Sequence, residues 1–315
     1  MKPTRALDSP TTQGARLAGF AAARPSHTIP GHALVERFGK DAAWLQTRSG
    51  IEQLHRLGPA ECLIDLAEAA ARDALKDAGQ SRADLVLVAT CSQPNGFGDE
   101  LGRHLNTPAM TLNAACSGFV FGLTAAADHV RTGQAETVLV VGAEQMSRLV
   151  DPADLGTSIL FADGAGAAVV TAAGTGADGF EPAEFFSDGS TARDVLQMDR
   201  TTLRMDGSAV FRWAVETVPE LIKRALYRAS ITPGEIDVFV PHQANLRIIE
   251  RVRRAAGLDH ALTAEDIRTA GNTSAASIPM ALTALREQHD VKGKLALLVG
   301  FGAGLSAAAQ IVRLP

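Results

Sequence analysis

Leu139-Val-Val-Gly-Ala and Leu297-Leu-Val-Gly-Phe read as one stretch written twice. Each is a short apolar run interrupted by a glycine, the pattern of a strand buried on both faces. The likeness extends outward from both copies. Gly164-Ala-Gly lies beyond the first and Gly302-Ala-Gly beyond the second. Upstream, Asn113-Ala-Ala-Cys-Ser-Gly stands opposite Asn272-Thr-Ser-Ala-Ala-Ser. Further back, Ala74-Leu75 and Ala78 match Ala225-Leu226 and Ala229, and both sets lead through a polar loop to Asp84-Leu-Val-Leu-Val and Asp237-Val-Phe-Val. Matches in one order and at nearly constant spacing describe a duplication: two similar α/β halves packed about a pseudo-two-fold axis. Gly, Asp and Ser cluster across Gly174–Gly189, which places the join there. The expected organisation is a loose tail over residues 1–15, a first half over 16–174 and a second half over 175–315. A site between such halves draws residues from both.

The local patterns agree. Leu63, Leu66, Ala67, Ala70, Ala74, Leu75 and Ala78 keep helical spacing, and Gly79 suits a left-handed stop. Runs at Asp84–Ala89, Thr137–Val141, Ala165–Thr171, Asp237–Val240 and Leu295–Val299 read as buried strands, with helices between them. Ser117–Val130 has no proline and is apolar nearly all round, which predicts a buried helix.

Composition narrows the function classes. The chain has 315 residues, 46% of them hydrophobic and 21% charged, as in an ordinary globular protein. Its formal charge of −5 argues against a dedicated nucleic-acid binder. Three cysteines are too few for a disulfide framework, so a reducing cytoplasm is the expected location. Met1–Gly19 carries no apolar signal-peptide core, and no apolar run approaches the roughly 20 residues of a membrane span.

Cys116 follows small residues that suit a tight strand-to-helix turn, which sets it at the start of the buried helix. Unpaired N–H groups and the helix dipole there favour a thiolate, whereas an apolar setting opposes it. Cys62 and Cys91 lack that context and read as inert core thiols. His242, in Val240-Pro-His-Gln-Ala-Asn, lies just past a strand end, where α/β sheets place ligand sites. Asn272 lies in Gly271-Asn-Thr-Ser-Ala-Ala-Ser, and Gly300-Phe-Gly-Ala-Gly follows the last long strand with small residues that let backbone N–H groups approach a ligand. Neither glycine-rich segment completes a P-loop or a dinucleotide fingerprint.

Taken together, Asn113-Ala-Ala-Cys-Ser-Gly, Pro241-His-Gln-Ala-Asn-Leu-Arg and Gly271-Asn-Thr-Ser-Ala-Ala-Ser resemble the three active-site motifs of β-ketoacyl-acyl carrier protein synthase III. Asp163-Gly-Ala-Gly-Ala-Ala and Asp41-Ala-Ala-Trp-Leu-Gln-Thr-Arg-Ser-Gly-Ile match that family's pattern as well. The resemblance implies the thiolase fold, a duplicated five-layered αβαβα unit, in a cytoplasmic homodimer. It implies an acyltransferase in which Cys116 takes an acyl primer, with backbone N–H groups of Cys116 and Ala303 as the oxyanion hole. His242 and Asn272 then bind a malonyl-carrier-protein thioester for decarboxylative condensation. Trp44 and Arg48 match positions at the adenine and phosphate end of coenzyme A, Phe211, Ala244 and Asn245 match the pantetheine tunnel, and Phe301 is a further substrate- or CoA-binding position. Phe97 matches a residue that closes the partner's acyl pocket across the dimer. Arg247, Arg251 and Arg254 share one helix face, with Arg212 nearby, and fit an acidic acyl carrier protein. No metal and no cofactor are implied, only acyl-CoA or acyl-carrier-protein as substrate, with no nucleic acid and no membrane as partner.

Three departures mark a specialised member, in fatty-acid or polyketide synthesis. Leu155 stands where the family has an arginine that contacts coenzyme A, which leaves the primer's carrier open. The stretch from Phe97 to Cys116 is several residues shorter than usual. Pro219 breaks a helix pattern that normally runs through. Two other readings remain: an acyltransferase on the same scaffold that forms no C–C bond, and a non-catalytic partner of a heteromeric synthase. Retention of Cys116, His242 and Asn272 favours condensation.

Overall fold

A computed structural model describes residues 13–174, 178–189 and 202–315, with the backbone of 196–198. The expected tail, save its last residues, and parts of the expected join lie outside the described residues. Ten strands form two five-stranded sheets. The first holds β1 (Ala15–Ala23), β2 (Leu85–Ala89), β3 (Ala109–Leu112), β4 (Thr137–Gln145) and β5 (Asp163–Ala172), in the order β1-β5-β4-β2-β3. The second holds β6 (Glu184–Ser187), β7 (Val238–Pro241), β8 (Leu262–Thr263), β9 (Leu295–Gly302) and β10 (Ser306–Arg313), in the order β6-β10-β9-β7-β8. Counted within each half, these are the same permutation. The pairing senses repeat too: antiparallel twice and then parallel twice across each sheet. The duplication read from the sequence is thus present in the topology.

Three helices accompany each sheet: α1 (Leu63–Asp77), α2 (Phe97–Leu105) and α3 (Gly118–Arg131), then α4 (Gly207–Ala229), α5 (Leu246–Ala255) and α6 (Ser277–Gln288). α1 forms as its spacing dictates. Leu63, Ala67, Ala70, Ala71, Ala74 and Leu75 are its buried stripe, and Gly79 follows with φ +66°. That stripe packs with Val86, Val88, Leu139 and Val169 on the outer face of the first sheet. α4 and α5 cover the outer face of the second. α3 and α6 lie between the sheets, where Phe119, Leu123, Ile278 and Leu282 pack against Val140, Val170, Val240 and Leu298. The layers are therefore αβαβα.

α4 corrects one expectation: it runs over 23 residues straight through Pro219. An interior proline forfeits one helical hydrogen bond and costs about 3 kcal/mol. Here Val218, Leu221, Ile222 and Ala225 are fully buried around it, and that packing carries the helix past the break.

Two short 3₁₀ turns meet at the centre: Ala115–Ser117, which leads into α3, and Ser274–Ala276, which leads into α6. Each rests on the central strand of the other half's sheet. A Cβ on Gly142 would stand 2.5 Å from the Ala275 carbonyl oxygen, and one on Gly300 would stand 2.8 Å from the Ser117 Cα. Both clashes are with backbone, which cannot give way cheaply. Gly300→Ala is expected to cost about 1–3 kcal/mol, the range for an overpacked core, read as a lowered denaturant midpoint.

Candidate active site

The first turn presents Cys116. Ala115 takes φ +48°, with its N–H donating to Asn113 Oδ1 at 3.1 Å, and Cys116 follows this bend. The end of β9 passes directly beside it: a Cβ on Gly302 would lie 2.9 Å from Cys116 Sγ. The backbone N–H groups of Cys116 and Ala303 and the Ser274 side chain favour the charged form of the sulfur. Burial nevertheless dominates and pushes the thiol up to about 12, with the nearby Glu144 carboxylate adding to it. The expected advantage of a helix N-terminus is thus outweighed in the resting site.

His242 continues the line of β7, its N–H bonded to the Val299 carbonyl at 2.7 Å. Its Nδ1 lies 2.7 Å from Ser277 Oγ, which also accepts the Gln243 N–H at 3.4 Å. In the tautomer where the Ser277 hydroxyl donates to Nδ1, Nε2 is the protonated nitrogen. Burial pulls the imidazole down to about 3, so it is neutral at physiological pH. Its ring meets the edge of Phe301, centroids 5.3 Å apart.

Asn272 bridges the halves: its N–H donates to the Leu160 carbonyl and its own carbonyl accepts from Ala162 N–H, both at 2.9 Å. Asn272 Oδ1 accepts the Ser274 N–H at 2.9 Å. The amide is thereby oriented with its NH₂ free to donate. Cys116, His242 and Asn272 line one cavity of about 730 Å³, so the two halves do converge on it. Two donors, His242 Nε2–H and Asn272 Nδ2–H, stand ready for one developing oxyanion.

Trp44, Arg48, Phe211, Ala244, Asn245 and Phe301 also line this cavity. The Arg48 guanidinium lies 5.8 Å from the Trp44 ring centroid, and Arg247 lies 5.5 Å from that of Phe211. Asn245 caps α5 through Arg247 N–H at 2.9 Å and reaches the Arg48 carbonyl at 3.1 Å, tying the two sides of the mouth together. Arg212 and Arg247 belong to the cavity wall, as does Leu155. Arg251 and Arg254 stand outside it, exposed along α5.

One placement differs from expectation: Cys62 is exposed ahead of α1 and is no core thiol. Phe97, the first residue of α2, is 5% exposed and packs with Val86, Val88 and Leu101 in the outer core of its own half. Three residues were not singled out by motif alone: Ser274, Ser277 and Glu144. The repeat carried one signal, since Ser274 is the counterpart of Ala115.

A buried thiol among backbone donors, faced by a neutral histidine and an asparagine where two α/β halves meet, defines a thiolase-fold condensing enzyme. The sequence model for 3-oxoacyl-[acyl-carrier-protein] synthase III matches residues 110–189, and that for its C-terminal region matches residues 226–314. The chain is 40% identical to β-ketoacyl-[acyl-carrier-protein] synthase III 1 of Streptomyces coelicolor, covering 96% of each. It is 39% identical to the mycobacterial β-ketoacyl-[acyl-carrier-protein] synthase III of Mycobacterium avium, over 100% of this chain and 99% of that one. Among solved structures, the priming β-ketosynthase of the R1128 polyketide pathway superposes with a TM-score of 0.91 at 37% identity, covering 98% of each chain. The chain belongs to the 3-oxoacyl-[acyl-carrier-protein] synthase III family.

Proposed function

We propose that this protein is a priming condensing enzyme: it loads an acyl group on Cys116 and joins it to a malonyl-carrier-protein with loss of CO₂. The observation that carries this reading is the convergence of Cys116, His242 and Asn272 on one cavity. In the first half-reaction the Cys116 sulfur attacks the primer thioester. The N–H groups of Cys116 and Ala303 hold the developing oxyanion, the thioester C–S bond breaks, and the carrier sulfur departs as a thiol with the proton that Cys116 gives up. In the second, His242 Nε2–H and Asn272 Nδ2–H hold the malonyl thioester oxygen. Loss of CO₂ leaves the electron pair as an enolate on that oxygen, and its carbon attacks the acyl carbon; the C–S bond then breaks and Cys116 leaves as the thiolate, which takes up a proton from solvent to restore the thiol. A neutral histidine suits this role because it donates without giving up its proton. Decarboxylation itself generates the carbanion, so the reading calls for no general base and no cofactor.

Arg48, Arg212 and Arg247 at the mouth suit the phosphate of a phosphopantetheine arm, whether borne by coenzyme A or by a carrier protein. Arg251 and Arg254 extend the positive face along α5 toward an acidic carrier protein. Leu155 removes one expected cation from the wall, which favours a carrier-bound primer. We further propose a homodimer, and a role in primer selection for fatty-acid or polyketide synthesis. No helix among the described residues is long and apolar enough to cross a membrane.

The test supplies purified protein with an acyl donor and malonyl-carrier-protein. The expected result is CO₂ released in step with a β-ketoacyl product. Acyl-Cys116 that passes its acyl group onward without CO₂ overturns condensation in favour of plain acyl transfer.

A further inference from the structure

Beyond Gly302 the chain leaves β9 in a tight turn, Ala303–Leu305, and re-enters the sheet as β10 at Ser306. Gly304 takes φ +76° and Leu305 φ +44°, a left-handed bend that a leucine rarely adopts. Up to that point β9 is seated against the Cys116 turn, where a Cβ on Gly302 would stand 2.8 Å from Cys116 Cβ. The ladder between β9 and β10 ends at the Gly302–Ser306 pair. The Ala303 N–H therefore belongs to a bend that strand pairing does not hold, and side chains close that bend instead.

Ser117 Oγ and Ser306 Oγ lie 2.9 Å apart, across 189 residues of sequence, and either hydroxyl can donate to the other. Ser117 Oγ also lies 2.6 Å from the Ala114 carbonyl oxygen, and Ser306 Oγ 3.1 Å from that of Ala303. Two hydroxyl protons serve these three contacts. In the arrangement that keeps the shortest of them, Ser117 donates to Ala114 and Ser306 donates across to Ser117. A continuous path thus joins the turn of Cys116 to the turn of Ala303. Ser117 is fully buried and Ser306 half-buried. The duplication supplies an internal comparison. The match of Asn113-Ala-Ala-Cys-Ser-Gly to Asn272-Thr-Ser-Ala-Ala-Ser sets Ser117 opposite Ala276. The two turns share their bend, with φ +48° at Ala115 and +49° at Ser274. Alanine therefore satisfies this position in one half, and the turn itself does not require the Ser117 hydroxyl.

We propose that Ser117 and Ser306 are positioning residues, whose hydroxyl bridge fixes the spacing between the Cys116 and Ala303 N–H groups during primer loading. This rests on the reading of Cys116 as nucleophile and of those N–H groups as its oxyanion hole. Neither serine lines the cavity, so both act through the backbone they hold. Ser117 directly follows Cys116, and Ser306 bonds the residue that carries the second donor. The requirement is geometric: each donor must stand within about 2.7–3.1 Å of the place the oxyanion will occupy. A turn free to shift would lose that fit without losing the sulfur.

The test separates primer loading from decarboxylation. Acylation of Cys116 in the full chain is timed by intact-protein mass spectrometry. The donors are acetyl, isobutyryl and hexanoyl thioesters of coenzyme A and of an acyl carrier protein, and the fastest is kept. Ser306→Ala is expected to lower the maximal acylation rate on the order of tenfold, short of the roughly 10²–10³-fold loss for an oxyanion donor deleted outright. The half-saturating donor concentration should not change. Release of CO₂ from malonyl-carrier-protein without donor, which uses His242 and Asn272, should stay as it was. Ser306→Thr keeps the hydroxyl on a residue suited to a strand and should restore the rate. Ser117→Ala should slow acylation too, with its thermal midpoint close to the original. The double variant should be no slower than Ser306→Ala, because both changes remove one bridge. Undiminished acylation in Ser306→Ala, a Ser306→Thr variant equally slow, equal losses of acylation and CO₂ release, or additive losses in the double variant overturns the proposal. No acylation of the unaltered protein by any of these donors overturns the nucleophile reading itself.

Discussion

Cys116→Ala is expected to accept no acyl group and to lose condensation by on the order of 10⁴-fold or more, as when a covalent nucleophile is deleted. The expectation follows from the placement of the sulfur. It sits against the N–H groups of Cys116 and Ala303, and no other thiol among the described residues lines the cavity. Cys91 cannot substitute, because its thiol stands outside the cavity and donates to Glu144 Oε1. The substitution removes little volume and leaves His242 and Asn272 in position, so Cys116→Ala should still release CO₂ from a malonyl thioester. Intact-protein mass spectrometry after incubation with acyl donor, alongside a CO₂ assay without donor, separates the two steps.

His242→Ala and Asn272→Ala are expected to show the converse. Both should retain acylation of Cys116, whose oxyanion donors are backbone groups untouched by either change. Both should lose decarboxylation, each by about 10²–10³-fold, the cost of one oxyanion donor. The pH dependence is also set. Burial holds the imidazole down to about 3, so the histidine does not change charge between pH 5 and 8. The decarboxylation step should therefore show no inflection near 6.5, the ordinary histidine value. An inflection there would mean that a protonated imidazole takes part.

Much of this was legible in the chain. The duplication was written in the paired stretches around Gly142 and Gly300, because close packing of a turn on a strand leaves room only for glycine and leaves that glycine in the sequence twice. The three site residues were legible because each follows a strand end or opens a helix. Other features were set by partners distant in sequence. Pro219 broke the local helical pattern, yet the tertiary packing of Val218, Leu221 and Ile222 overrode that local preference. The net state of Cys116 depended on burial by both halves, which no local pattern records. Ser274 and Glu144 acquire their roles only when β4 of one half meets the turn of the other, some 130 residues apart, as in the Ala275 N–H to Glu144 contact.

The central claim is that two half-reactions share one cavity, and a single turnover tests it most directly. Protein acylated at Cys116 is mixed with malonyl-carrier-protein, and the acyl-enzyme, CO₂ and carrier-bound product are followed together. The account predicts that acyl-Cys116 disappears at the rate CO₂ and a β-ketoacyl-carrier-protein appear, one of each per acyl group consumed. Disappearance of acyl-Cys116 with no CO₂ and an unextended acyl group on the acceptor would contradict it.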